Sequence, residues 1–197
     1  KEEVLLHDGS KIIVKRWLKH GGWIEPGQGP GIKEEFFSFR MPGTRQKITW
    51  KDEYREELRG SNFILFALDI INSTPYIVAS PAGCLAYNWW GRPNPPYVFF
   101  RFEKGMWKRI QLSELPSAIN SANLIVDLPN DEKDIERLGF VSAEMVKKFN
   151  SSLQHPEFKT IARTPLKGVG CPDWSSPRYT SPKAPFPMSS KVKGTEN

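Results

Sequence analysis

Apolar and polar positions alternate with a period of two through the N-terminal and central parts of the chain, and that period belongs to half-buried strands. Val4-Leu5-Leu6 and Lys11-Ile12-Ile13-Val14 flank Asp8-Gly9, a pair that tolerates the positive φ of a tight primed turn, so a first hairpin is predicted here. The second run continues towards Trp17 and Leu18 and gives way to a loop, dense in glycine and proline, from Gly21 to Gly31. A second pair follows in Glu35–Arg40 and Gln46–Trp50. Phe37 and Phe39 share one face there, and Ile48 and Trp50 alternate against Lys47 and Thr49. The charged run Lys51–Arg59 fits either a short helical turn or an extended, solvated strand.

The most apolar stretch is Asn62–Ile71, separated by Asn72-Ser73-Thr74-Pro75 from Tyr76–Ser80. Its length also admits a buried helix, but the turn residues and the β-branched partner favour a third hairpin. Tyr97–Phe102 and Met106–Leu112 around Lys104-Gly105 make a fourth. The expected fold is therefore mainly β, an antiparallel meander closed as a barrel-like body or folded as a sandwich. Helix is expected only late, as a short C-terminal element. Asp131–Leu138 is one candidate. Ser142 is the expected N-cap of the other, in which Met145, Val146 and Phe149 share a face.

From about residue 162 the character changes. Residues 162–197 hold 6 of the 17 prolines and many serines, and bury too little apolar surface to offset the entropy of ordering. The expected organisation is one β-rich domain over residues 1–161 and an extended or disordered basic tail over 162–197, which Cys171, Trp174 and Phe186 would anchor if it lies as a strap.

Charge supports that division. The net +6 resides mostly in the tail, where 6 Lys+Arg face 2 Asp+Glu, whereas residues 1–161 carry 22 against 20. A near-neutral body lacks the clustered positive charge that phosphate binding requires, so no specific nucleic-acid partner is expected, and tail attraction to acidic surfaces is the electrostatic alternative. No apolar run approaches the length of a bilayer span. The chain opens on Lys1-Glu2-Glu3 with neither initiator methionine nor signal sequence, as expected once a leader has been removed or the chain trimmed.

Cys84 and Cys171 lack metal-ligand spacing, and His7, His20 and His155 are scattered, so neither a metal nor another cofactor is expected. One long-range disulfide would suit an exported protein, and two unrelated thiols are the alternative, because pairing needs a spatial approach that sequence does not show.

Candidate recognition residues concentrate in Ser80–Tyr97, read as a long loop between two strands. Tyr87, Asn88, Trp89, Trp90, Arg92 and Tyr97 include the residue types that dominate interface hot spots. The competing reading is that both tryptophans tuck under the loop and close one end of the sheet. Catalytic motifs are lacking: no Gly-x-Ser-x-Gly elbow, phosphate loop or dinucleotide fingerprint occurs. Paired carboxylates for glycoside chemistry can be drawn from Asp52, Glu53, Glu56, Glu57, Asp69 and Asp127. The first four read as a solvated charged face, and Asp69 interrupts an apolar strand and needs hydrogen-bond partners if it points inward.

The stretch from Tyr87 through Asn88-Trp89-Trp90-Gly91-Arg92-Pro93-Asn94-Pro95-Pro96-Tyr97 to Val98, together with Trp107–Pro116, resembles uncharacterised proteobacterial proteins, many of them predicted lipoproteins, over about residues 2–155. The resemblance implies a removed lipoprotein leader, a periplasmic or outer-membrane-anchored location, with a cytoplasmic one as the alternative, and an oxidising environment compatible with a Cys84–Cys171 bridge. It transfers no activity. The expected role is a non-catalytic envelope module that binds another protein, in one concrete form an immunity protein neutralising a secreted antibacterial toxin. A hydrolase of envelope glycan or lipid, with a carboxylate or Cys84 as its reactive group, is one alternative. A structural lipoprotein holding acidic surfaces through its tail is the other.

Overall fold

The computed structural model describes residues 1–21, 32–44, 46–126, 138–168 and 171. Among them eight strands form two four-stranded antiparallel sheets, each in simple sequence order. Sheet 1 contains β1 (Glu2–Leu5), β2 (Lys11–His20), β3 (Ile32–Arg40) and β4 (Lys47–Asp52). Sheet 2 contains β5 (Phe63–Ile71), β6 (Thr74–Pro81), β7 (Val98–Glu103) and β8 (Met106–Ile110). The mainly β, antiparallel fold class read from periodicity is the fold of the molecule, and of its two closures the sheets take the sandwich.

The inner faces share one core. Val4, Val14, Phe37, Ile48 and Trp50 of sheet 1 pack with Phe63, Leu65, Leu68, Ile77 and Phe100 of sheet 2. Trp50 sits at its centre, with ring centroids 4.7 Å from Phe100, 5.6 Å from Trp107 and 6.1 Å from Phe63. Trp107 also donates its indole N–H to the Thr49 carbonyl at 2.8 Å, a polar tie between the sheets.

Sheet 2 is buried on its other face as well. Phe66, Ala67, Val78, Tyr97, Phe99 and Ile110 pack there with residues such as Leu115, Ile119, Val126 and Ile161. Burial on both faces explains why Phe63–Ile71 reads as a continuous apolar run rather than an alternating one. The register skips Phe66, so Phe66 and Ala67 both serve the outer cluster while Leu65 and Leu68 serve the inner one. The Phe66 carbonyl accepts from the N–H groups of Asn123 and Leu124, both at 3.1 Å, and so helps to hold the covering segment.

The turns refine the sequence reading. Asn72-Ser73 and Lys104-Gly105 have positive φ at both residues, as a two-residue hairpin twisting with its strands requires. The first hairpin differs: Leu6 donates to Ser10 at 2.8 Å and Gly9 donates to Leu6 at 3.0 Å, which is a three-residue loop with Gly9 at φ +83° rather than a two-residue primed turn.

Two helices are described, α1 (Gly83–Trp89) and α2 (Ala143–Ser151). Ser142 caps α2 by accepting from the Met145 N–H at 3.3 Å, and Met145, Val146 and Phe149 pack together as the spacing requires. Of the expected 131–138 helix, only Leu138 is among the described residues. Past residue 161 the chain still meets the body, since Arg163 donates to the carbonyls of Leu115 and Ile119 at 3.0 and 3.1 Å. Trp174 and Phe186 lie outside the described residues.

Candidate functional site

The segment 80–97 is not one long loop. Its first half coils into α1, and the aromatic residues nominated from sequence turn inward. Trp90 is 5% exposed, meets the Phe63 ring at a tilt with centroids 4.5 Å apart and donates to the Asn62 side-chain oxygen at 3.3 Å. Tyr97 is 2% exposed and donates its hydroxyl to the Glu157 carbonyl at 2.6 Å; burial pushes that hydroxyl up to about 12. Tyr87 is buried, with the Arg92 guanidinium 5.4 Å from its ring centroid. Asn88 bridges the Cys84 carbonyl at 2.8 Å and Arg92 at 2.7 Å. Arg92 reaches on to the Cys171 carbonyl at 3.1 Å. Trp89 is half-buried against the core, under the guanidinium of Arg55. Five of these contacts run to the body or to the strap, so the segment locks the sandwich end shut.

Cys84 and Cys171 form a disulfide across a sequence separation of 87, which fastens Cys171 to α1. Cys84 therefore holds no free thiol, and a cysteine nucleophile is excluded at that position.

Asp69 is buried, at 3% exposure. It accepts from the His7 ring at 2.7 Å, the His7 backbone N–H at 3.1 Å and the Ile70 N–H at 2.7 Å, so the end of β5 grips the first turn. The pair lies on the wall of a cleft of about 640 Å3 whose far side includes Lys147, Asn150 and Lys159. Among the described residues no hydroxyl bonds the His7 ring, and no group of three or more His, Cys, Asp or Glu is placed to hold a metal. Asp127 lies outside the described residues.

Asp52 corrects the expectation of a solvated face over residues 51–59. It is 1% exposed, accepting from the Asn62 side chain at 2.6 Å and the Phe63 N–H at 2.8 Å. Glu2, Arg16, Glu35 and Asp52 make a row across the inner face of sheet 1, one from each strand. Arg16 meets Glu35 at 2.5 Å and Glu2 at 3.7 Å and donates to the Ile125 carbonyl at 2.7 Å. One cation thus faces three buried carboxyls. Burial raises Glu2 above its ordinary range and pushes Asp52 up to about 7, with Glu35 adding to both shifts.

The site with an opening to solvent and an unused set of peptide groups lies elsewhere in sheet 1. Residues 11–14 of β2 pair only with β1, and residues 15–20 pair with β3, so the two hairpins part after Lys15↔Ser38. The resulting fork holds a cleft of about 500 Å3. Its floor is apolar, from Ile12, Phe39 and Met41, and its rim carries Lys11, Lys15, Arg40 and Lys47 with no acidic lining residue. Lys11 is engaged by Glu3 at 3.1 Å and Glu144 at 3.0 Å. Lys15 and Lys47 are exposed and have no ion-pair partner among the described residues. Sequence reasoning missed this site because the alternation of Lys11 to Lys15 is the same in a paired strand and in a forked one.

No protein-family model, curated protein or solved structure matches the chain.

Proposed function

We propose that the protein is a non-catalytic binding module of the cell envelope whose partner is another protein, and that recognition takes place on the forked face of sheet 1 rather than on the 87–97 segment. The observation that carries this reading is the cationic, open fork: a sheet that parts over an apolar floor offers both unpaired edge and charge to an incoming chain. An exported location is supported by the Cys84–Cys171 disulfide, a bond that persists in oxidising compartments. An immunity protein that neutralises a secreted toxin is the concrete form of the proposal, with the toxin supplying the acidic surface.

The test is recovery of a defined partner by the wild-type chain, by Lys15→Glu/Lys47→Glu and by Trp89→Ala. The charge reversal should abolish recovery and Trp89→Ala should leave it intact. The opposite pattern would return recognition to α1.

A hydrolytic reading has one observation in its favour, the His7–Asp69 pair on the wall of the larger cleft. A carboxylate that orients an imidazole is the arrangement of a general base. If that reading holds, turnover of ester, amide or glycoside probes should vanish in His7→Gln while the melting curve changes little.

A further inference from the structure

The fork has a specific backbone geometry. Leu6 and Ser10 form a hydrogen-bonded pair, with Leu6 N–H to Ser10 carbonyl at 2.8 Å. Bonded and non-bonded pairs alternate along an antiparallel ladder, so Val4/Ile12 and Glu2/Val14 bond as well. The peptide groups of Lys11 and Ile13 then point away from β1, into the fork. Lys15 points the same way and meets Ser38, the last pair before the strands part. Among the described residues nothing takes up the Lys11 and Ile13 peptide groups on that side. Ile13 is 44% exposed, so an unpaired edge lies beside an accessible apolar side chain.

Side chains on either side of the gap sort by sheet face. Ile12, Phe39 and Met41 are inward and buried, at 8%, 2% and 6% exposure, and form the floor. Lys15, Arg40 and Lys47 stand outward on the rim. Any chain that pairs with Lys11 and Ile13 must itself alternate, with one set of side chains on the floor and the other under the rim.

We propose that the fork receives a short extended segment of the partner protein as an added strand, with apolar side chains seated on Phe39 and Met41 and acidic side chains set beneath Lys15 and Lys47. The proposal rests on the binding-module reading and deepens it by naming what the partner presents: an exposed stretch of alternating acidic and β-branched residues. Main-chain hydrogen bonds supply affinity in this mode, and the alternating contacts supply selectivity.

The probe is a synthetic peptide alternating glutamate and valine, compared with the same peptide N-methylated at the amides that would face β2. The binding signal is two-dimensional NMR of the full chain with amide exchange read at Lys11 and Ile13. The unmodified peptide should bind, protect those two amides, weaken as salt rises, and lose roughly tenfold or more in affinity with Lys15→Glu/Lys47→Glu. The N-methylated peptide should fail. Equal binding of both peptides without amide protection would overturn strand addition while leaving a charge-driven protein-binding face. Failure of the unmodified peptide at millimolar concentration would overturn the inference. The partner-recovery experiment then decides separately whether the binding-module reading survives. Ile13→Glu, which alters an exposed position, should retain the melting temperature and lose peptide binding, and retention of binding would count against the proposed register.

Discussion

Glu35 and Asp52 are direct cross-strand neighbours on β3 and β4, both pointing into the core and both no more than 1% exposed. Like charges opposite one another are unfavourable even at a surface, and here Arg16 is already shared between Glu35 and Glu2. Burial favours the protonated form of Asp52 and pushes it up to about 7, and the neighbouring Glu35 adds to that shift.

Stability should therefore depend on pH in the direction opposite to that given by an aspartate held ionised in an ion pair. Folded Asp52 holds its proton from about pH 4 to about pH 7, whereas the unfolded chain gives it up near 3.8. Stability is then greatest below the unfolded value and falls as pH rises through 7. A shift of that size corresponds to about 4 kcal/mol at most, and Glu2 adds to it with the same sign. Urea unfolding at pH 5 and pH 8 should show the lower midpoint at pH 8. Asp52→Asn, which cannot ionise, should flatten the difference. A midpoint that rises with pH would show that Asp52 stays ionised in the fold.

The disulfide should matter to the whole sandwich and not only to the residues around Cys171. It closes a loop of 87 residues, for which the chain-entropy relation gives about 4.6 kcal/mol, against about 2–4 kcal/mol typical of disulfides. Cys84→Ala/Cys171→Ala should lower the melting temperature, and thiol titration of the wild-type protein should find no reactive cysteine, native or unfolded, until a reductant is added. A variant as stable as wild type would mean that Arg92, which donates to the Cys171 carbonyl, and Asn94, which bonds the Leu166 backbone, hold this stretch unaided.

Trp89 and Trp90 should separate sharply. Trp90 fills core space beside Phe63 and Phe100, so Trp90→Ala should cost about 3–5 kcal/mol in denaturant melts. Trp89 is half-buried at the edge, and its alanine variant should lose markedly less. Similar losses at both positions would contradict the difference in their packing.

Much of the architecture was legible because it is set locally. Lys104-Gly105 and Asn72-Ser73 adopt the positive φ that a two-residue hairpin demands, and Ser142 offers its hydroxyl to the first turn of α2. What escaped is set by contacts distant in sequence. Asp52 belongs to a charged segment and reads as solvated until Asn62, Phe63 and Glu35 close over it. Tyr87, Trp90 and Tyr97 have the composition of a binding loop, and their burial, with Trp90 against Phe63 and Tyr97 against Phe66 and the Glu157 carbonyl, is set by residues distant in sequence. The fork at Lys15 and Ser38 follows from where two hairpins stop pairing, a property of register that leaves no mark on the residues themselves.

The last prediction concerns the joint between the sheets at His7 and Asp69. Asp69 satisfies three donors, and two of them belong to the first turn, so its removal should loosen that turn before it unfolds the sandwich. Asp69→Asn keeps the shape but turns one acceptor into a donor facing an N–H group, which should cost about 1–3 kcal/mol. His7→Ala forfeits one bond and leaves the carboxylate with its two backbone donors, so it should cost less. Native-state amide exchange should show lost protection at His7 and along the Leu6–Ser10 turn in Asp69→Asn, with β6 and β7 unchanged. Uniform loss across both sheets would mean that the turn and the core open as a single unit, and that Asp69 acts on global rather than local stability.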